Sequence, residues 1–264
     1  MNATLTYVGG PTALIEIAGV RLLTDPTFDA AGTEYPGPGY TLRKTMAPAL
    51  ADAALGRLDA VLLSHDHHAD NLDGAGRALL ARVPRVLTTQ VGAQRLGPPA
   101  RALAPGESVV LGEGRGAVRV TATPGRHGPV GGDRGPVIGF LLQPLAAPEP
   151  AVYVSGDTVW YEAIADIART TRVGLALLFM GAARVAAAGP SHLTFTAGEA
   201  ALAAHAFADA TIVPLHYEGW EHFSESRRDV DEAFAQAAVH DRLHWLAPGT
   251  PETFVLRATA ARAA

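Results

Sequence analysis

A chain of 264 residues, 48% hydrophobic and 18% charged, carries enough apolar material for a sizeable buried core, which excludes a largely disordered protein. Its formal charge of −5 rests on 26 acidic against 21 scattered basic residues, so no basic stripe neutralises a phosphate backbone and nucleic acid is not an expected partner. With Cys at 0, disulfides, cysteine nucleophiles and thiolate-held zinc are excluded; any metal has to be held by imidazole and carboxylate, and the 10 histidines become the residues to explain.

Met1–Gly10 has neither the basic start nor the apolar run of a secretory leader, so the expected location is cytoplasmic. Alternating apolar residues predict antiparallel strands over 5–8 and 13–17, a turn at Ala18-Gly19, and a third strand over 20–23 that runs into Thr24-Asp25-Pro26. From Phe28 to Pro48 the chain is rich in Gly, Pro and Tyr, which predicts an ordered surface loop with neither helix nor strand, of a length that often borders a site. A buried strand over 60–63 then feeds into Ser64-His65-Asp66-His67-His68-Ala69-Asp70-Asn71, with a helix expected over 66–83. Further strands are predicted over 85–88, 108–111, 118–122, 137–143, 151–154, 175–179 and 212–215, and helices over 161–171, 196–207 and 226–238.

The most apolar window, Val173–Gly189, is interrupted by Gly174, Gly181 and Arg184 and falls short of the roughly 20 apolar residues of a bilayer span, so no membrane span is expected. No linker or short repeat divides the chain, and one domain over residues 1–264 is the simplest organisation. Strands in two runs, each followed by helices, argue for an α/β fold of two packed sheets with helices outside, a four-layer αββα sandwich.

The segment Ser64–Asn71 gathers three His and two Asp behind an apolar strand, and His65 and His67 are spaced so that a sharp turn can aim both rings at one ion. Three further candidates also follow strands: His127 in Thr123-Pro-Gly-Arg-His-Gly, Asp157 in Tyr153-Val-Ser-Gly-Asp-Thr, and His216 in Val213-Pro-Leu-His-Tyr. Strand ends of this kind are where α/β proteins place their chemistry. Each residue also has an ordinary reading: helix capping for His65, His67 and Asp157, a loop histidine for His127, a core histidine beside Tyr217 and Trp220 for His216. The repeated context favours ligation.

These motifs resemble those of the metallo-β-lactamase superfamily, with its His-x-His-x-Asp-His, a distant His, a Gly-Asp segment and a late His, and the match runs over nearly the whole chain. The early Leu22-Leu-Thr-Asp-Pro, Leu63-Ser-His-Asp-His, Ser155-Gly-Asp-Thr and a His near Pro190 are most similar to the branch containing ascorbate 6-phosphate lactonase and phospholipase D-like enzymes. The resemblance implies a site for one or two divalent ions, with His65, His67 and His127 on the first and Asp157 bridging to a second held by Asp70 and His216. Zinc suits such ligands, with manganese and iron as alternatives.

One departure stands out. By strict spacing the family's Asp position is Ala69 and its final His position is Asp70. Either a one-residue bulge returns Asp70 to the carboxylate position and leaves Asn71 at that of the His, or Asp70 replaces the His directly; His68 either turns inward to supply the lost imidazole or stays exposed. The altered motif predicts a second ion bound more weakly than the first. Asp66 is expected to orient its neighbours or cap a helix without ligating.

An ion held by three imidazoles lowers the pKa of coordinated water toward about 7, supplying hydroxide for attack on a carbonyl carbon or phosphorus. Asp70 and Asp157 are expected to orient that hydroxide. His192, in Gly189-Pro-Ser-His-Leu-Thr-Phe, resembles a substrate-facing position of the branch and is the expected general acid or oxyanion donor, its ordinary reading being a loop histidine bonded to backbone. His222 is a lesser candidate, and His205, His240 and His244 read as structural or surface residues. The expected partner is a small-molecule substrate, a partly apolar ester, lactone or phosphodiester, in a pocket shaped by 28–46 and 181–192. A metal-binding sensor or partner subunit without hydrolytic activity is one rival reading; a nuclease of the same fold, disfavoured by the acidic balance, is another.

Overall fold

The computed structural model describes residues 1–132, 134–148 and 150–256. Alternation of apolar and polar side chains yields an opening meander of Asn2–Gly9 (β1), Thr12–Ile17 (β2) and Val20–Thr24 (β3). A hairpin of Glu34–Gly37 (β4) and Tyr40–Arg43 (β5) follows, then Ala60–Leu62 (β6), Gly74–Leu80 (α1), Val86–Thr88 (β7), Gln90–Leu96 (α2) and Ala100–Ala102 (β8). The second half runs through Ser108–Leu111 (β9), Val118–Pro124 (β10), Ile138–Pro144 (β11), Ala151–Val154 (β12), Glu162–Thr170 (α3) and Val173–Phe179 (β13). It closes with Ala197–Ala206 (α4), Thr211–Leu215 (β14), Arg227–Gln236 (α5) and Pro251–Val255 (β15).

The first sheet has the order β15-β1-β2-β3-β6-β7-β8 and the second β14-β13-β12-β11-β10-β9. Period-two alternation decides which layer each side chain enters. Leu5, Ile15 and Leu62 of the first sheet meet Val120, Phe140, Val154, Leu177 and Val213 of the second in one buried core. The opposite faces are covered from outside, the first by Leu79 and Leu80 of α1 against Val61 and Leu63, the second by α3, α4 and α5 against Tyr153, Ala176 and Ile212. This is the αββα arrangement expected from the sequence. Among the described residues, no helix is long and apolar enough to cross a membrane.

Two sequence expectations are corrected. The segment expected to be loop from Phe28 to Pro48 contains the β4–β5 hairpin, paired from Glu34↔Arg43 to Gly37↔Tyr40. It is tied down by a buried ion pair of Lys44 Nζ with Asp73 Oδ2 at 2.8 Å and by Tyr35 donating to Asp29. The helix expected over 66–83 is confined to α1, because Asp73 caps it by accepting from Gly76 N at 2.8 Å and thereby fixes its start. Residues 64–73 are released as a turn.

Strand direction places the site. β3 and β6 are parallel, β12, β13 and β14 are parallel, and β10 shares their direction through antiparallel β11. The carboxyl end of β12 touches that of β6: a Cβ on Gly156 would meet Ile138 O at 2.7 Å and Ser64 Cβ at 2.8 Å, and its φ of +61° also favours glycine. Only glycine lets the two halves close up here.

Candidate metal centre

The turn after β6 is anchored from below. Ser64 donates through N and Oγ to Asp25 Oδ1 at 2.8 and 2.9 Å, and its Oγ lies 2.9 Å from His65 Nδ1. With its hydroxyl proton given to Asp25, Ser64 accepts from His65 Nδ1–H, which makes Nε2 the nitrogen with the free lone pair. His127, in the loop after β10, donates through Nδ1 to Leu193 O at 2.8 Å, so its Nε2 is likewise bare. His68 Nδ1 lies 2.9 Å from His65 Nε2 and 3.1 Å from His127 Nε2.

Three imidazole nitrogens thus converge with few protons to share. Burial and the facing rings of His68 and His127 hold His65 well below the usual histidine value, and burial together with His127 pushes His68 down to about 3. The two separations are slightly shorter than the roughly 3.3 Å edge of a tetrahedron with metal–nitrogen distances of about 2.0–2.1 Å. Neutral rings with converging lone pairs suit a cation.

A second group, Asp70, Asp157 and His216, is buried beside the first, its ligand atoms all within 4.8 Å of one another. His216 Nε2 is 3.4 Å from both Asp70 Oδ2 and Asp157 Oδ1, while Asp157 Oδ2 lies 3.7 Å from His127 Nε2. Asp157 therefore turns one oxygen toward each group. His216 follows β14 directly with φ of +54°, a left-handed conformation uncommon for a residue with a side chain, held by its N donating to Gly10 O at 2.8 Å.

Burial opposes charge on His216, yet Asp157 and Asp70 overcome it and push its pKa up to about 10. Burial likewise works against ionised Asp70, which His216 and His222 hold well below the usual carboxylate value. Two buried carboxylates demand positive charge, and the His216 imidazole stands against both. Asp70 Oδ1, Asp157 Oδ2 and both nitrogens of His216 are buried without a hydrogen-bond partner. Unpaired buried atoms cost on the order of 1–3 kcal/mol each, so these clustered around one space fit a bound cation.

The structure brings together His65, His127, Asp70, Asp157 and His216 from the candidates, and places His67 apart. The His67 ring is exposed and its Nε2 donates to Arg134 O at 2.7 Å, whereas His68 takes the inward place facing His65 and His127. Asn71 then stands after Asp70, and its Nδ2 donates to Asp157 Oδ1 at 3.3 Å. Asp66 turns away, its Oδ2 accepting from Arg95 Nε of α2 at 2.7 Å.

His192 is also drawn elsewhere. Its Nε2 lies 3.0 Å from Oε2 of Glu199, the residue that completes the capping box of α4, and the ring does not line the cleft at the metal-binding candidates. The contribution of that loop is the Leu193 carbonyl on His127. The imidazole that does border the cleft is His222, with Nε2 3.0 Å from Asp70 Oδ2. Its sequence signal was slight: a second histidine six positions after His216, across the Gly219 turn.

The cleft is lined by His68, Asp70, His127 and His222 on the polar side and by Leu42, Ala183, Val185 and Leu193 on the apolar side, with Tyr40 and Arg134 also bordering it. The β5 strand delivers Tyr40 and Leu42, so the hairpin supplies part of the wall. The Arg134 guanidinium lies 5.7 Å from the centre of the Tyr40 ring.

A family model described as the beta-lactamase superfamily domain matches residues 20–217. A UPF0173 metal-dependent hydrolase of Pyrobaculum aerophilum is 25% identical over 254 residues, covering 93% of this chain and 97% of the relative. One from Pyrobaculum neutrophilum is 26% identical with the same coverage of both chains. Among solved structures, the isothiocyanate hydrolase from Delia radicum gut bacteria superposes with a TM-score of 0.80 at 21% identity, covering 96% of this chain and 100% of the other. The metallo hydrolase Igni18 from Ignicoccus hospitalis gives 0.72 at 20% identity, covering 97% and 100%. These similarities do not select a branch. With the family match extending from β3 to the residue beyond His216, the chain belongs to the beta-lactamase superfamily and has the fold of its metal-dependent hydrolases.

Proposed function

We propose that this metal-dependent hydrolase cleaves a small ester, lactone or phosphodiester with an apolar body and a negatively charged group, using two adjacent cation positions that share Asp157. The observation that carries this reading is the division of Asp157, with one oxygen toward His127 and the other toward His216. His65, His68 and His127 would hold the first ion, and Asp70, Asp157 and His216 the second; the neutral imidazoles of the first group suit zinc. Divalent ions so held acidify water and polarise the bond to be broken.

The remaining work falls to the chain itself. Ser64 and Leu193 O fix the tautomers of His65 and His127, so their rings present lone pairs without reorganisation. Leu42, Ala183, Val185 and Leu193 exclude water from one side of the substrate, while Arg134, with no ion-pair partner among the described residues, offers a guanidinium to its anionic group. The cleft is small and partly open to solvent, which favours a small substrate.

Metal analysis of the wild type, Asp70→Ala and His127→Ala, with a panel of small esters, lactones and phosphodiesters, tests the proposal. Unchanged metal content in both variants refutes the ligand assignment. Arg134→Leu should raise KM for anionic members roughly 10-fold or more, the loss of a charge-assisted contact, and leave neutral members unaffected. A second reading, metal binding without hydrolysis, draws on the amide of Asn71 beside the second group; bound metal with no turnover across the panel would favour it.

A further inference from the structure

The second group is short of an imidazole. With His68 turned inward and Asp70 two residues later, the next position holds Asn71, whose amide Nδ2 is spent on Asp157. What lies across from it is His222. This residue sits on the turn after β14, its carbonyl fixed by Arg184 N at 2.9 Å and its ring packed 4.7 Å from that of Phe223. The side chain is only 9% exposed, and its Nε2 lies 3.0 Å from Asp70 Oδ2, the same oxygen that stands 3.4 Å from His216 Nε2.

Two further facts set His222 apart. Its Nδ1 is buried without a partner, and among the described residues the polar contact of its ring is with Asp70 of the second group. It also borders the cleft, where His192 does not. His222 stands one step outside the three donors that lie within 4.8 Å of one another and reaches them through Asp70.

Resting on the metal-centre reading above, we infer that His222 supplies the imidazole that Asn71 lacks, so that the second ion is held by Asp70, Asp157, His216 and His222. The donor set then comprises two carboxylates and two imidazoles, against three imidazoles and the shared carboxylate on the first ion. Both ends of the β14 turn, His216 and His222, become ligands of one ion. The chain has moved the missing ring from the β6 turn to the opposite side of the cleft.

The test strips the full-length protein and its His222→Ala and His222→Gln variants with chelator and reloads them with excess cobalt(II). Retained metal and the visible ligand-field spectrum are then measured after desalting. The wild type is expected to keep about two equivalents and each variant about one, with the absorption from the three-imidazole group preserved. Glutamine still donates a hydrogen bond to Asp70 but has no imidazole. Two equivalents retained by His222→Gln would show that His222 only steadies Asp70 and overturn the inference, as would a wild type that keeps one ion. A wild type that keeps none defeats the metal-centre reading itself. Melting curves in chelator guard against misfolding: equal midpoints are expected, and if His222→Ala alone melts early the glutamine variant decides.

Discussion

Replacing His68 and His67 one at a time separates the inward ring from the outward one. His68 Nδ1 is 2.9 Å from His65 Nε2 and 3.1 Å from His127 Nε2, and with its pKa near 3 it is neutral at pH 7 and needs no deprotonation to bind an ion. Loss of a residue that merely supports a ligand costs about 10–100-fold in metal affinity. Loss of a ligand should exceed that, so His68→Ala is expected to weaken the first ion by more than about 100-fold, roughly 2.7 kcal/mol. His67→Ala removes one hydrogen bond to Arg134 O from an exposed ring, about 0.5–1.5 kcal/mol of local stability, and should leave affinity within a few fold. Competition against a chromophoric chelator at pH 7 reads both. Release of the ion from His67→Ala with retention by His68→Ala would refute the placement of the two rings.

Ser64→Ala cuts the link from Asp25 to His65 Nδ1 and is expected to lower first-ion affinity about 10–100-fold while the melting midpoint of the chelated protein moves little; an unchanged affinity argues against the assigned tautomer. Gly156→Ala places a Cβ against Ile138 O and Ser64 at a left-handed φ, a cost of about 2–4 kcal/mol that should appear as a melting midpoint lower by on the order of 10 °C. Metal-free protein is expected to be most stable near pH 6.5. His68, depressed to about 3, binds fewer protons folded than unfolded, so stability falls as pH drops below about 6.5; His216, raised to about 10, keeps a proton the unfolded chain releases, so stability falls as pH rises from about 6.5 toward 10. A flat profile of melting midpoint between about pH 4 and 9 contradicts this pair of shifts.

The sandwich was legible because its strands alternate strongly enough to mark an inner face, as Leu5, Ile15, Val120 and Phe140 do. His127, Asp157 and His216 stood out for a related reason: each follows a buried strand, and parallel strands carry their ends to one edge. The choice between His67 and His68 was not legible, since adjacent residues in an irregular turn face in different directions and spacing alone does not say which. His192 sits in the expected motif, but Glu199, seven residues onward in α4, takes its ring. The β4–β5 hairpin escaped because Tyr35-Pro-Gly carries no strand signal; its attachment comes from nearby Asp29 and from Asp73, 29 residues beyond Lys44. β15 was missed likewise, its partner β1 lying at the other end of the sequence.

Six of the seven residues assigned to the two ions divide between the sheets: His65, His68 and Asp70 follow β6, whereas His127, Asp157 and His216 follow β10, β12 and β14. Their mutual spacing is consequently set by how Leu62 seats against Phe140 and Val154 in the layer between. A sideways slip of one sheet over the other would pull the donors apart even with every ligand intact. Hydrocarbon fit in the middle of this protein thus acts as the calliper for its charged edge.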